Sequence, residues 1–80
     1  MTNCILRLPA VKMSTGLARS TIYLRIAQGL FPRPISLGAR AVGWPAHEVE
    51  ALNTARIAGK PDQEIQELVR KLETARKAAA

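Results

Sequence analysis

Before Glu48 the chain has no acidic side chain. That stretch cannot hold a pair of catalytic carboxylates, since general acid–base work of that kind needs two Asp or Glu side chains. Aromatic residues are scarce, with one Trp, one Tyr and one Phe, so the core must be largely aliphatic. Cys4 is the single cysteine and cannot form an internal disulfide, which suits a reducing cytoplasm. His47 is the single histidine, so no His/Cys cluster has metal-ligand spacing. No apolar run approaches the ~20 residues of a membrane span, and no leader-type apolar segment is present. A Gly-rich phosphate loop of the dinucleotide or Walker type is also missing. These absences predict a soluble cytoplasmic protein that is not an enzyme, without metal, cofactor or small-molecule ligand. Trp44 is expected in the core, His47 at an exposed helix start, and Cys4 as a small apolar residue.

Positive charge is abundant, and it is one-sided. Arg7, Lys12, Arg19, Arg25, Arg33 and Arg40 precede Glu48 with nothing to oppose them. Beyond that point six basic and six acidic residues balance, so the net charge of +6 belongs to the first part of the chain. A surface shaped for solubility alone mixes both signs. A field of one sign attracts a polyanion.

Within the basic stretch, residues 15–29 read as the turn and second helix of a helix-turn-helix. Gly16 supplies a tight turn because glycine adopts φ > 0 at no steric cost. A helix over Arg19–Gln28 follows, and Gly29 ends it. At 100° per residue, Ile22, Ile26 and Ala18 face the core, with Arg25 near the core edge. Ser20, Leu24 and Ala27 then face outward, flanked by Thr21 and Tyr23. Such a helix fits the DNA major groove, where an outward leucine can touch a thymine methyl. The first helix is expected over Leu8–Ser14, with Pro9 at its first position and Leu8, Val11 and Leu17 toward the core. Residues 1–7 are expected as a frayed arm or a short strand.

The two prolines of Leu30-Phe31-Pro32-Arg33-Pro34 exclude helix there. Ile35-Ser36-Leu37 and Ala41-Val42-Gly43-Trp44 alternate as a hairpin with Arg40 at its tip, the wing of a winged helix-turn-helix. Pro45 is expected to open a third helix, with Glu48 and Glu50 favoured near its start by the helix dipole, and Gly59 to end it. Pro61 is expected to open a fourth helix. Glu67–Lys71 and Glu73–Lys77 are i,i+4 pairs there. Its stripe of Ile65, Leu68, Val69 and Leu72 would pack on the third helix or pair with another subunit. Residues 73–80 are expected to fray.

Together these elements predict a mainly α fold with a small β-hairpin. It is a winged helix-turn-helix of three helices plus wing over residues 1–59, with a C-terminal amphipathic helix and tail over residues 60–80. Arg7-Leu8-Pro9, Thr15-Gly16-Leu17, Arg19-Ser20-Thr21-Ile22-Tyr23, Gly29 with Phe31-Pro32, and Leu37-Gly38 through Arg40-Ala41-Val42-Gly43-Trp44 resemble the AlpA-like family. Its members are small phage and prophage regulators related to the MerR-type winged helix-turn-helix. The resemblance runs from about Arg7 to Gly59. It implies a DNA-binding transcriptional regulator of a mobile element, and related proteins of this fold act as excisionases or in phage packaging. Many relatives have Ser at the position of Ala18 and Arg at that of Leu24.

The resulting expectation is a sequence-specific regulator that binds double-stranded DNA and self-associates on it. Ser20, Thr21, Tyr23 and Leu24 would approach bases and nearby phosphates. Arg19, Arg25, Arg33 and Arg40 would hold the backbone, helped by Lys12. An excisionase that bends DNA uses the same surface. A protein–protein module such as an anti-repressor, working through the C-terminal stripe, is the alternative of another class.

Overall fold

The computed structural model describes residues 4–79. In chain order the elements are β1 (Ile5–Leu6), α1 (Leu8–Thr15), α2 (Arg19–Ala27), β2 (Ile35–Ser36), β3 (Val42–Pro45), α3 (Ala46–Ile57) and α4 (Asp62–Ala79). The strands form an antiparallel sheet in the order β1-β3-β2. Leu6 stands opposite Trp44, and Ser36 opposite Val42. The sheet is held tight at Gly43, where a Cβ would lie 2.6 Å from Ile5 Cγ2 and 3.0 Å from the Leu6 carbonyl oxygen. Only glycine lets β1 come this close. The fold is the expected winged helix-turn-helix, and the hairpin of β2 and β3 is its wing.

Val11, Ile22, Leu30, Phe31, Trp44, Val49, Leu52, Ile65 and Val69 form the core. Leu30 and Phe31 come from the loop after α2, and the others from helix or strand positions on inward-facing apolar sides. Leu6, Leu8, Leu17 and Ile26 pack around it. Trp44 is fully buried, and its indole N–H donates to the Pro32 carbonyl at 2.9 Å. Phe31 meets the indole edge-on, with centroids 6.1 Å apart. The apolar stripe of α4 packs inward: Ile65 and Val69 are in the core, with Leu68 and Leu72 against it. The Asn53 amide donates to the carbonyl and hydroxyl oxygens of Ser14, tying α3 to the end of α1.

Several local expectations shift. Leu8, not Pro9, is the first residue of α1, and the helix continues to Thr15. Pro45 and Pro61 precede their helices instead of occupying the first position. Pro45 has extended backbone angles and ends β3, while the Pro61 carbonyl accepts from the Ile65 amide. Ala18 is exposed, not core-facing. It is the N-cap of α2, with ψ 158°, so the 100° rotation that places Ile22 does not reach it. Cys4 is exposed as well. Residues 73–79 are helical, not frayed.

Residues Glu73 and Arg76 explain the ordered end of α4. Glu48, expected only as a first-turn residue of α3, is 0% exposed. Arg76 Nε donates to its Oε2 at 2.8 Å and Nη2 to its Oε1 at 2.6 Å. This two-point match suits a planar guanidinium and a carboxylate. Donation to the Glu48 carboxylate raises the Arg76 pKa above its ordinary value, outweighing desolvation. Arg76 Nη2 also donates to the Arg33 carbonyl at 2.8 Å, and the Arg33 amide donates to Glu73 Oε2 at 2.8 Å. A buried carboxylate stripped of its partner is strongly unfavourable. Arg76→Met is therefore expected to destabilise the fold by about 2–4 kcal/mol, read by urea unfolding. Glu48→Gln combined with Arg76→Met should recover much of that loss, and an additive double variant would refute the coupling.

Candidate nucleic-acid interface

Two short helices and a left-handed glycine build the presenting face. Gly16 has φ 72° and ψ 13°, and its amide donates to the Lys12 carbonyl. Thr15 Oγ1 donates to the Val11 carbonyl at 2.7 Å and accepts the Leu17 amide at 3.3 Å. The turn is thus bonded on both sides and sets the direction of α2.

Ile22 is buried in the core, and Ile26 packs against it. The opposite face carries Ser20, Tyr23, Leu24 and Ala27, all exposed. Leu24 is 57% exposed and Tyr23 40%. Thr21 is half-buried at the margin. Tyr23 is steadied from two sides. Its ring meets Trp44 edge-on at 6.5 Å, and the Arg19 guanidinium stands 5.9 Å from its centroid. Such a cation–π contact contributes about 0.5–1 kcal/mol at an exposed site. The fold therefore gathers Arg19, Ser20, Thr21, Tyr23 and Leu24 on one helix.

The remaining expected residues are distributed around that helix. Lys12 is exposed on α1, and Arg40 is exposed in the turn of the wing. The wing is closed by the Leu37 amide bonding the Ala41 carbonyl at 2.7 Å. Arg25 is half-buried and lines a cleft with Thr15, Leu17, Asn53 and Arg56, so it stands apart from the Ser20–Leu24 face. Arg33 has an exposed side chain, but its backbone is bonded to α4 on both the amide and the carbonyl. Among the described residues every carboxylate side chain lies on α3 or α4, and Glu48 is neutralised by Arg76. Asp62 pairs with Arg56 at 3.3 Å, and Glu64 with Lys60 at 3.8 Å.

Sequence reasoning missed the Glu48–Arg76 pair. A signal was available for half of it: Glu48 lies four residues before Leu52 and beside Val49, on the core side of α3. Nothing local points to Arg76 as the partner. Among the described residues no group of three or more His, Cys, Asp or Glu side chains could hold a metal ion, and no helix is long and apolar enough to cross a membrane.

A helix-turn-helix with a wing, presenting an exposed polar face between basic flanks, defines the class of this protein. Residues 4–56 match the family described as prophage CP4-57 regulatory protein (AlpA), and the chain belongs to that family. It is 49% identical over 55 residues to "Uncharacterized protein ORF88" of Enterobacteria phage P4, covering 69% of this chain and 62% of that protein. The chain thus spans less than two thirds of that relative's length. It is 42% identical over 52 residues to "DNA-binding transcriptional activator AlpA" of Escherichia coli (strain K12), covering 58% of this chain and 74% of that protein. No solved structure matches the chain significantly. Helix α4 lies beyond the family match.

The N-cap of α2 offers a check on this geometry. Ala18 has the extended backbone of a capping residue, φ −73° and ψ 158°, and no side-chain oxygen to bond the first amides. Ala18→Ser is expected to stabilise the protein by about 1 kcal/mol. In a domain of this size that raises Tm by roughly 4–8 °C, measured by thermal unfolding.

Proposed function

We propose that this chain is a sequence-specific regulator of transcription in a prophage or integrated element, acting on double-stranded DNA. One observation carries the reading: the exposed face of α2 and the tip of the wing both belong to a stretch without a single carboxylate side chain. Similarity to the E. coli DNA-binding transcriptional activator AlpA supports it. In this reading α2 enters the major groove. Ser20, Thr21 and Tyr23 offer hydroxyls to base edges and phosphates, and Leu24 offers methyl contact to thymine. Arg19, Arg25, Arg33, Arg40 and Lys12 serve the backbone, which fixes register and supplies most of the affinity. Arg25, half-buried and turned from the exposed face, has the least direct access of these. A single module this small has limited contact area, so several copies would assemble on one site. The place of action is the bacterial cytoplasm, on the nucleoid.

Selection from a random DNA pool followed by footprinting would define the site. On that site Arg40→Ala is expected to weaken binding to all sequences alike and to lower the salt slope by about one. Thr21→Ala or Tyr23→Ala should instead alter sequence preference, by about 1–3 kcal/mol for a lost base contact. Unchanged affinity and slope in Arg40→Ala would remove the wing from the interface.

A further inference from the structure

We propose that α4 adds a second DNA-backbone contact, in which Arg70 and Lys77, together with Arg33, form a phosphate-binding notch that runs from the C-terminal end of α2 along α4. The proposal rests on the reading that α2 and the wing bind DNA. It joins Arg33 of the basic stretch to a helix outside the family match, whose Arg70 and Lys77 the sequence alone leaves in a neutral stretch.

Placement comes first. Gln66 Nε2 donates to the Gln28 carbonyl at 3.0 Å, which pins α4 to the end of α2. One hollow there is lined at the end of α2 by Ala27, Gln28 and Gly29, and across from it by Arg33, Arg70 and Glu73, among others. A neighbouring hollow of about 490 Å³ is lined by Arg33, Arg70, Glu73, Thr74, Arg76 and Lys77. Arg70 borders both. A helix lying in the major groove brings its ends toward the flanking phosphates, so cations beside its end meet the backbone.

Charge comes second. Counted along the chain, the acidic and basic residues after residue 47 cancel. The fold sorts them. Glu48 is buried and held by Arg76, and Glu73, the one carboxylate lining the hollow, accepts the Arg33 amide. Among the described residues Arg33, Arg70 and Lys77 make no salt bridge, and all three are exposed. With Arg76 committed to Glu48, Arg33, Arg70 and Lys77 stand around a single lining carboxylate, Glu73, with Glu67 one turn from Arg70. A phosphate at the notch gains attraction and breaks no existing ion pair.

Spacing comes third. Arg70, Thr74 and Lys77 fall at i, i+4 and i+7 and share one face of α4. Arg70 and Lys77 are two turns apart, roughly 10 Å along the axis. That separation suits two phosphates of a strand better than a single small anion. The Thr74 hydroxyl between them can donate to a phosphate oxygen.

Binding to the selected DNA site is measured for the full chain across a salt series. Arg70→Ala combined with Lys77→Ala is expected to lower the slope of log K against log salt by about two, and to weaken binding about tenfold or more near 0.1 M salt. Lys60→Ala, which removes a charge at the α3–α4 turn outside both hollows, should leave the slope unchanged. Thermal unfolding of the double variant should match the parent, because both side chains are exposed and unpaired. An unchanged slope in the double variant beside a lowered slope in Arg40→Ala would overturn the role of α4 and leave the proposed function standing. So would a Lys60→Ala effect on the slope half that of the double variant, since net charge alone would then be responsible. Failure of the unaltered protein to bind any DNA sequence would overturn both.

Discussion

One buried ion pair organises the molecule. Glu48 stands in the first turn of α3 without solvent, and Arg76, 28 residues later, meets both of its oxygens. The same guanidinium bonds the Arg33 carbonyl between α2 and the wing. Three segments distant in sequence thus converge on one planar group. A buried charge tolerates little misplacement, because losing its partner leaves it unsolvated. An apolar pair of similar volume could hold α4 against α3, but with less restriction on its register. The geometry of Arg76, with Glu73 bonding the neighbouring amide, fixes where α4 crosses the loop that leads into the wing.

The angle between α2 and the wing follows from that loop. Leu30, Phe31 and Pro32 are buried, and the Pro32 carbonyl is taken by the Trp44 indole. Trp44 belongs to β3, and it also supports Phe31 and Tyr23 edge-on. Helix, loop and wing therefore share one aromatic junction. Aromatic contacts of this geometry contribute about 0.5–1.5 kcal/mol each beyond their buried area. The exposed half of Tyr23 is held by the same rings that set the wing, so the two parts of the interface are presented as a unit.

Much of this was legible in the sequence, for local reasons. Ile22 and Ile26 set the buried face of α2 by rotation alone, and the exposed face of Ser20, Leu24 and Ala27 followed. Gly16 marked the turn, and the paired prolines around Arg33 separated helix from wing. What escaped was decided at a distance. Ala18 failed because a capping residue does not obey helical rotation. The order of residues 73–79 depends on Glu48 and Arg33, neither of which is a near neighbour in sequence. Glu48 itself could be placed on the core side of α3, yet its partner lies on another helix and leaves no periodic trace.

The charge pattern shows how far a linear count carries. The carboxylate-free stretch was visible as an absence, and the structure keeps it whole, since every carboxylate side chain among the described residues is on α3 or α4. The balanced remainder was misleading in a different way. Neutrality along a chain is not neutrality in space: burial removes Glu48 from the surface together with Arg76, and an amide occupies Glu73. What remains exposed along this face of α4 is Arg33, Arg70 and Lys77, beside Glu73. The internal pair takes one charge of each sign from the surface, so the cations gathered there owe their place to how it docks α4 and not to a change in the charge balance. Under the proposed function, folding and partner recognition draw on the same few charges, with α4 supplying the register for both.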